Sequence, residues 1–163
     1  SDDAMDIGQS SARYDDIYAT NGSIQTSDRN EKQDIEELTE AEKRVAVAAK
    51  GLLRKFRWKS AVEEKGDNAR THFGIMAQDL QAAFAAEGLD AGDYAMFISD
   101  TWWETQTEVP AVEANEEKGI EAKDAYTRIL TFATQEEAPE GATERTRLGV
   151  RYSELLAFII GAL

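Results

Sequence analysis

From Leu155 to Leu163 the sequence carries no charged or polar side chain. A run this short falls far below the roughly 20 apolar residues that span a bilayer, so it belongs in a core or a subunit interface. Ser153 can cap a short helix from Glu154 to Leu163, and that helix is apolar on nearly every side. It needs cover all round, which favours burial between subunits over a free surface. A chain of 163 residues with 42% hydrophobic content can bury one proper core, and a second would be cramped. One domain plus appendages is expected.

Charge and composition exclude several classes of function. A formal net charge of -14, from 32 acidic and 18 basic residues, repels a phosphate backbone and an anionic membrane. Neither nucleic acid nor a membrane is an expected partner. There is no cysteine, and His72 is the single histidine, which removes disulfides, thiol nucleophiles, zinc fingers and His-rich metal sites. No metal or cofactor is expected, and a hydrolase of this composition must use Ser, Thr, Lys or carboxylates. Ser1–Gly8 is acidic and lacks the basic start and apolar run of a secretion signal.

Residues 1–26 are polar, and only Tyr14, Ile17, Tyr18 and Ile24 offer large apolar groups, too few to fold alone. Asn21-Gly22 is a tight-turn signal, with short strands expected at Ile17–Ala19 and Ser23–Gln25. Asp28 followed by Glu31 reads as a capping box that starts a helix. The apolar positions Ile35, Leu38, Val45, Ala49, Leu52 and Phe56 recur at spacings of three and four, broken at Glu42. That stripe suits a bundle or a three-chain contact, and equally a globular helix packed on its own sheet.

Phe56–Val62 alternates like a strand, and Glu63–Ala69 reads as a charged turn. Thr71–Gln78 is a short strand that breaks at Gly74 into a helix carrying Met76, Leu80, Ala83 and Phe84, with Gly88 and Gly92 at its end. Tyr94–Ile98 reads as a buried strand. Thr101–Val109 and Tyr126–Thr134 alternate around the charged stretch Glu113–Asp124, the pattern of a long hairpin with a solvated tip. Trp102 and Trp103 point to opposite faces of such a strand, so either one meets a partner or a core Trp lies beside a rim Trp. Leu148–Tyr152 is the last expected strand.

Two segments carry candidate chemistry. Thr26-Ser27-Asp28-Arg29-Asn30-Glu31-Lys32-Gln33-Asp34-Ile35 resembles the Ser-Asp signature, with Lys five residues after Ser, that opens the peptidase S74 family of intramolecular chaperones. His72-Phe73-Gly74-Ile75-Met76-Ala77-Gln78-Asp79 resembles that family's His-x-Gly-apolar-apolar-Ala-Gln element, and Val150–Leu156 its closing strand and helix. Tyr14–Gln25 resembles the strand-turn-strand that precedes the signature. The segments stand in the family's order and extend from Tyr14 to Leu163. One departure is that Asn30, not Arg, stands three residues after Ser27, which leaves Arg29 out of register. By spacing alone, Ser27 would be the residue before a helix cap, Lys32 a solvated charge and His72 a strand-end histidine.

The resemblance implies a C-terminal domain of trimeric phage tail fibres and tailspikes, made in the host cytoplasm as part of a virion fibre or spike precursor. Such a domain holds three chains in register while the upstream β-structured fibre folds, then releases itself. Carried onto this sequence, residues 1–26 are the end of the upstream fibre and 27–163 the chaperone domain. The scissile bond lies between Thr26 and Ser27, with Ser27 as nucleophile and Lys32 as base. His72, Asp28 and Gln78 are supporting positions. The alternative is a trimerisation cap that never cuts.

A serine hydroxyl needs a base, and a lysine serves only where burial lowers its pKa. On a regular helix, residues five apart lie about 140° apart around the axis, so Ser27 and Lys32 would not face each other. Either the chain near Ser27 is extended and folds back, or a neighbouring chain supplies the lysine. The architecture expected is α+β and homotrimeric, with a long N-terminal helix, a small antiparallel sheet, a protruding β-hairpin and an apolar C-terminal helix.

Overall fold

The computed structural model describes residues 6–163. Residues 1–5 of the expected upstream segment lie outside the described residues. Helices and small antiparallel sheets alternate in an α+β arrangement. By packing, the chain divides into two compact units: one joins the chain up to Tyr18 to Asp100–Arg147, and the other joins Ala19–Ser99 to Leu148–Leu163.

The unit built from Ala19–Ser99 and Leu148–Leu163 holds the core. Helix α1 spans Glu40–Leu52 and lays Val45, Ala46 and Ala49 inward. Strand β1 (Arg54–Phe56) pairs antiparallel with β2 (His72–Gly74), with helix α2 (Lys59–Lys65) between them in sequence. Helix α3 (Ala77–Ala86) contributes Leu80 and Phe84, and α4 (Tyr152–Gly161) contributes Leu155 and Ile159. These side chains meet Ile75, Ala91, Met96 and Phe97 in one cluster. Val45, Leu80, Phe84 and Leu155 are fully buried, and each contributes about 1.5–3 kcal/mol by leaving water. The Phe84 ring lies 4.6 Å from Tyr94 and 6.0 Å from Phe158.

Two polar contacts lock this core. The Tyr94 hydroxyl donates to Glu42 at 2.9 Å, and the Ile75 amide donates to the Tyr152 hydroxyl at 3.1 Å. Gly74 is required beneath that tyrosine, because a Cβ there would overlap the Tyr152 hydroxyl. The Glu42 carboxyl is held below the usual carboxylate range, first by the Thr39 amide and then by the Tyr94 hydroxyl. Burial, and then the bond to Glu42, push the Tyr94 phenol up.

Several expectations are corrected in this unit. Asp28 caps only a single 3-10 turn, Arg29–Glu31, and the long helix starts at Glu40 and runs 13 residues. The capping box that starts it is Thr39 with Glu42, so Glu42, read as an interruption of the stripe, is the residue that closes the helix end. Ile35 is consequently off the helix and exposed. Phe56–Val62 is not a strand: pairing ends at Phe56, and Lys59 opens α2. Within Tyr94–Ile98 the strand begins only at Phe97, after a 3-10 turn at Ala91–Asp93. Helix α4 begins at Tyr152 after Arg151, so Ser153 lies inside the first turn rather than capping it. Gly22 adopts φ 73°, the turn conformation expected, but no strands flank it. Tyr18 and Ile24 are exposed, and short runs without a sheet edge beside them leave their backbone groups to water.

The unit built from the chain up to Tyr18 and Asp100–Arg147 contains the expected hairpin. Strand β3 (Phe97–Val109), whose first residues belong to the core unit, pairs antiparallel with β4 (Tyr126–Phe132), from Trp103 opposite Phe132 to Val109 opposite Tyr126. Strand β5 (Thr143–Val150) lies on the other side of β3, giving the order β4-β3-β5. The tip is ordered by bridges between Val112 and Lys123 and between Asn115 and Ile120, with Gly119 turning at φ 64°. Ile129, Leu130 and Tyr126 remain exposed on β4. Trp102 and Trp103 are both half-buried.

Candidate active site

Around Ser27 the chain is built to double back within one turn. Asp28, in extended conformation, accepts from the Asn30 amide at 2.9 Å and from the Asn30 side chain at 3.1 Å. This closes the 3-10 turn Arg29–Glu31, whose tighter winding departs from α-helical geometry. Lys32 ends the turn: its amide bonds to the Arg29 carbonyl while its own backbone is extended at φ -117° and ψ 146°. The side chain swings back, and Lys32 Nζ reaches Ser27 Oγ at 2.7 Å. Within one chain, the segment thus folds back so that the two side chains meet. Both side chains, and Thr26, are exposed in the single chain.

The other candidate residues stand apart from this pair. Asp28 serves the turn through its side-chain carboxylate, which caps the Asn30 amide. His72 lies on β2 opposite Phe56, its ring stacked on Phe56 at 5.8 Å and edge-on to Trp58 at 6.2 Å. Gln78 is the second residue of α3 and is exposed. Among the described residues, no hydrogen bond joins His72 or Gln78 to Ser27 or Lys32. Nor does any cluster of His, Cys, Asp or Glu among the described residues have the geometry of a metal site. No described helix is long and apolar enough to cross a membrane.

The pair can do one kind of chemistry. A hydroxyl and an amine at hydrogen-bond distance, directly after a peptide carbonyl, make a nucleophile and a proton acceptor once the amine is neutral. The sequence segment that contains it also has a known relative: residues 27–89 match the family model for peptidase S74, described as a chaperone of endosialidase. That match marks a likeness to the peptidase S74 family over this segment.

Similarity to phage tail proteins extends beyond that segment. A probable tail spike protein of Klebsiella phage 0507-KN2-1 is 35% identical over 156 residues, 94% of this chain and 12% of the relative. The side tail fiber protein pb1 of Escherichia phage T5 is 29% identical over 133 residues, 77% of this chain and 9% of the relative. The chain thus spans about an eighth or less of these curated relatives. Among solved structures, the carboxy-terminal domain of the bacteriophage T5 L-shaped tail fiber with its intramolecular chaperone domain superimposes with TM-score 0.71 at 23% identity, over 99% of this chain and 34% of that one. A structure described as a novel intramolecular chaperon gives TM-score 0.53 at 24% identity, over 83% of this chain and 93% of that one. At these identities the structural likeness establishes a shared fold.

Sequence reasoning missed one polar group of interest. Arg147 of β5 lies over the Trp102 ring at 5.2 Å and donates to the Ser10 carbonyl. Nothing in the spacing of Arg147, Trp102 and Ser10 announces that meeting, because it joins positions far apart in the chain.

Proposed function

We propose that residues 27–163 are the intramolecular chaperone domain of a phage tail fibre or tailspike, and that the domain separates itself by cutting between Thr26 and Ser27. The observation that carries this reading is the 2.7 Å approach of Lys32 Nζ to Ser27 Oγ, inside a segment that matches the S74 family. The named relatives, tail spike and side tail fiber proteins, support the setting in a virion fibre or spike. In this reading the precursor is made in the host cytoplasm and its upstream part ends at residue 26.

In the proposed reaction Ser27 Oγ attacks the Thr26 carbonyl carbon and its proton passes to neutral Lys32 Nζ. The tetrahedral centre collapses as the Thr26–Ser27 C–N bond breaks. The leaving nitrogen takes the proton from Lys32 and becomes the free amine of Ser27, while Thr26 is held as an ester on Ser27 Oγ. Water hydrolyses that ester, giving a Thr26 carboxylate and restoring the hydroxyl.

An exposed amine is solvated, so the base requires that a further surface cover Lys32. A homotrimer provides one, and apolar side chains at the C-terminal end are available for such an assembly: Leu156 and Ile160 of α4, and Leu163 after it, are exposed in the single chain. Cutting then waits for assembly, which makes it a checkpoint. Electrophoresis of the denatured chain beside a Ser27→Ala version tests the cut. Two fragments from the first and one band from the second are expected; identical single bands leave a passive trimerisation cap. Dilution tests the checkpoint, since a cleavage rate in unassembled monomer that ignores concentration contradicts it.

A further inference from the structure

The chain on the far side of the proposed cut is gripped by the hairpin sheet. Ser10 is engaged twice: its hydroxyl donates to the Asp100 carboxylate, and its carbonyl accepts from Arg147 Nη1. Arg147 is half-buried and braced from below by the Trp102 ring at 5.2 Å, a contact that holds a guanidinium in place while leaving its N–H groups free to donate. A second polar contact, between the Thr101 and Thr146 hydroxyls at 2.9 Å, ties β3 to β5 beside this group. The Ser10 segment itself is preshaped, with Gln9 and Ala12 exchanging both backbone hydrogen bonds at 3.0 and 2.9 Å, and Gly8 at φ 82° permitting the bend. An open cleft of about 550 Å³ between Gly8–Ser11 and Asp100–Trp102 and Thr131–Ala133 marks the same face. The segment from Ala19 to Thr26, by contrast, is exposed and has no regular structure.

We propose that Arg147 and Asp100 form a retention clasp for the polypeptide around Ser10, so that the upstream part stays docked on the hairpin after the backbone is severed at Thr26–Ser27. This deepens the function proposed above, since it makes cutting and release two separate events. The clasp reads main chain and a small hydroxyl rather than a large side chain. Its ligand is a bent, small-residue peptide segment of the same protein.

The experiment separates the clasp from the cutting chemistry. In a full chain carrying Ser27→Ala, the exposed residues 22–25 are replaced by the recognition sequence of a site-specific protease. After cleavage, the preparation is passed through native gel filtration, and mass spectrometry follows the fragment that contains Ser10. The fragment is expected to co-elute with the rest of the protein, and Arg147→Ala to shed it at least about tenfold faster, as loss of a charged hydrogen bond requires. Ser10→Ala, which sits on the fragment and leaves the hairpin sequence intact, is expected to shed it faster too; it decides the matter if Arg147→Ala fails to fold by circular dichroism. Immediate loss of the fragment from the Arg147 chain, or equal retention in all variants, overturns the clasp. Because the cut is made by an added protease, a wild-type chain that never cuts itself counts against the proposed autoproteolysis alone.

Discussion

The helical core and the hairpin sheet use the same apolar alphabet to opposite ends. Helices α1, α3 and α4 each turn one apolar face inward onto Phe84 and Leu80, which are 0% exposed, whereas β4 leaves Ile129 52% exposed. The core unit buries its apolar cluster within itself. The hairpin keeps Tyr126, Ile129 and Leu130 of β4 uncovered on a scaffold tied by strand pairing, the Arg145–Glu104 ion pair at 2.5 Å and the clasp at Arg147. A region that stabilises itself and a region that offers surface are what a folding aid requires, since the offered surface has to be free until a client covers it.

The sharpest way to break this contrast is truncation on both sides. Phe84→Ala is expected to lower unfolding free energy by about 3–5 kcal/mol, whereas Ile129→Ala changes it by less than about 0.5 kcal/mol in the chain alone. Urea titration measures both, and equal losses would erase the distinction. Next in size is Gly74→Ala, expected to cost about 1–3 kcal/mol by driving a methyl group into the Tyr152 hydroxyl. Pairing it with Tyr152→Phe removes the clashing oxygen, so part of the loss should return in a double-mutant cycle. Thr39→Ala is expected to cost about 1 kcal/mol by opening the capping box of α1.

Acid should act on the core unit through Glu42. Its carboxyl is depressed in the folded state, first by the Thr39 amide and then by Tyr94. The contribution is therefore complete above the ordinary Glu value of about 4.3 and is lost as pH falls through the lower folded value. Glu42→Gln should flatten that acid limb of the stability profile, and an unchanged limb would assign the acid sensitivity elsewhere. On the hairpin side, replacing Trp102 and Trp103 should reduce the yield of folded upstream fibre while leaving the helical core intact. Undiminished fibre yield would remove the hairpin from the folding role.

Strong local patterns were readable from the sequence. The hairpin followed from alternation around Glu113–Asp124, and the strand-to-helix break at Gly74 from a glycine between two periodicities. The first helix was misread because two capping signals compete: Asp28 with Glu31, and Thr39 with Glu42. Only the second is followed by an uninterrupted inward face, while Asp34 at φ 52° breaks any helix begun at Asp28. Phe56–Val62 failed for a related reason, since the pattern of large groups fits a strand but pairing partners run out at Phe56. The Ser27–Lys32 pair was legible as a motif, yet its closeness was not, because helix arithmetic separates the two and only the single 3-10 turn brings them together. The Arg147 clasp left no trace in sequence, since tertiary contacts between distant polar residues carry no period.

The proposed cut requires that Lys32 act on Ser27 as a base rather than as a fixed charge. Lys32→Arg keeps the charge and the donor but cannot give up its proton. Intact-mass spectrometry of the assembled chain should then find only the uncut mass in Lys32→Arg, beside a wild-type fragment beginning at Ser27. An equal amount of that same fragment from the Lys32→Arg chain would contradict the account.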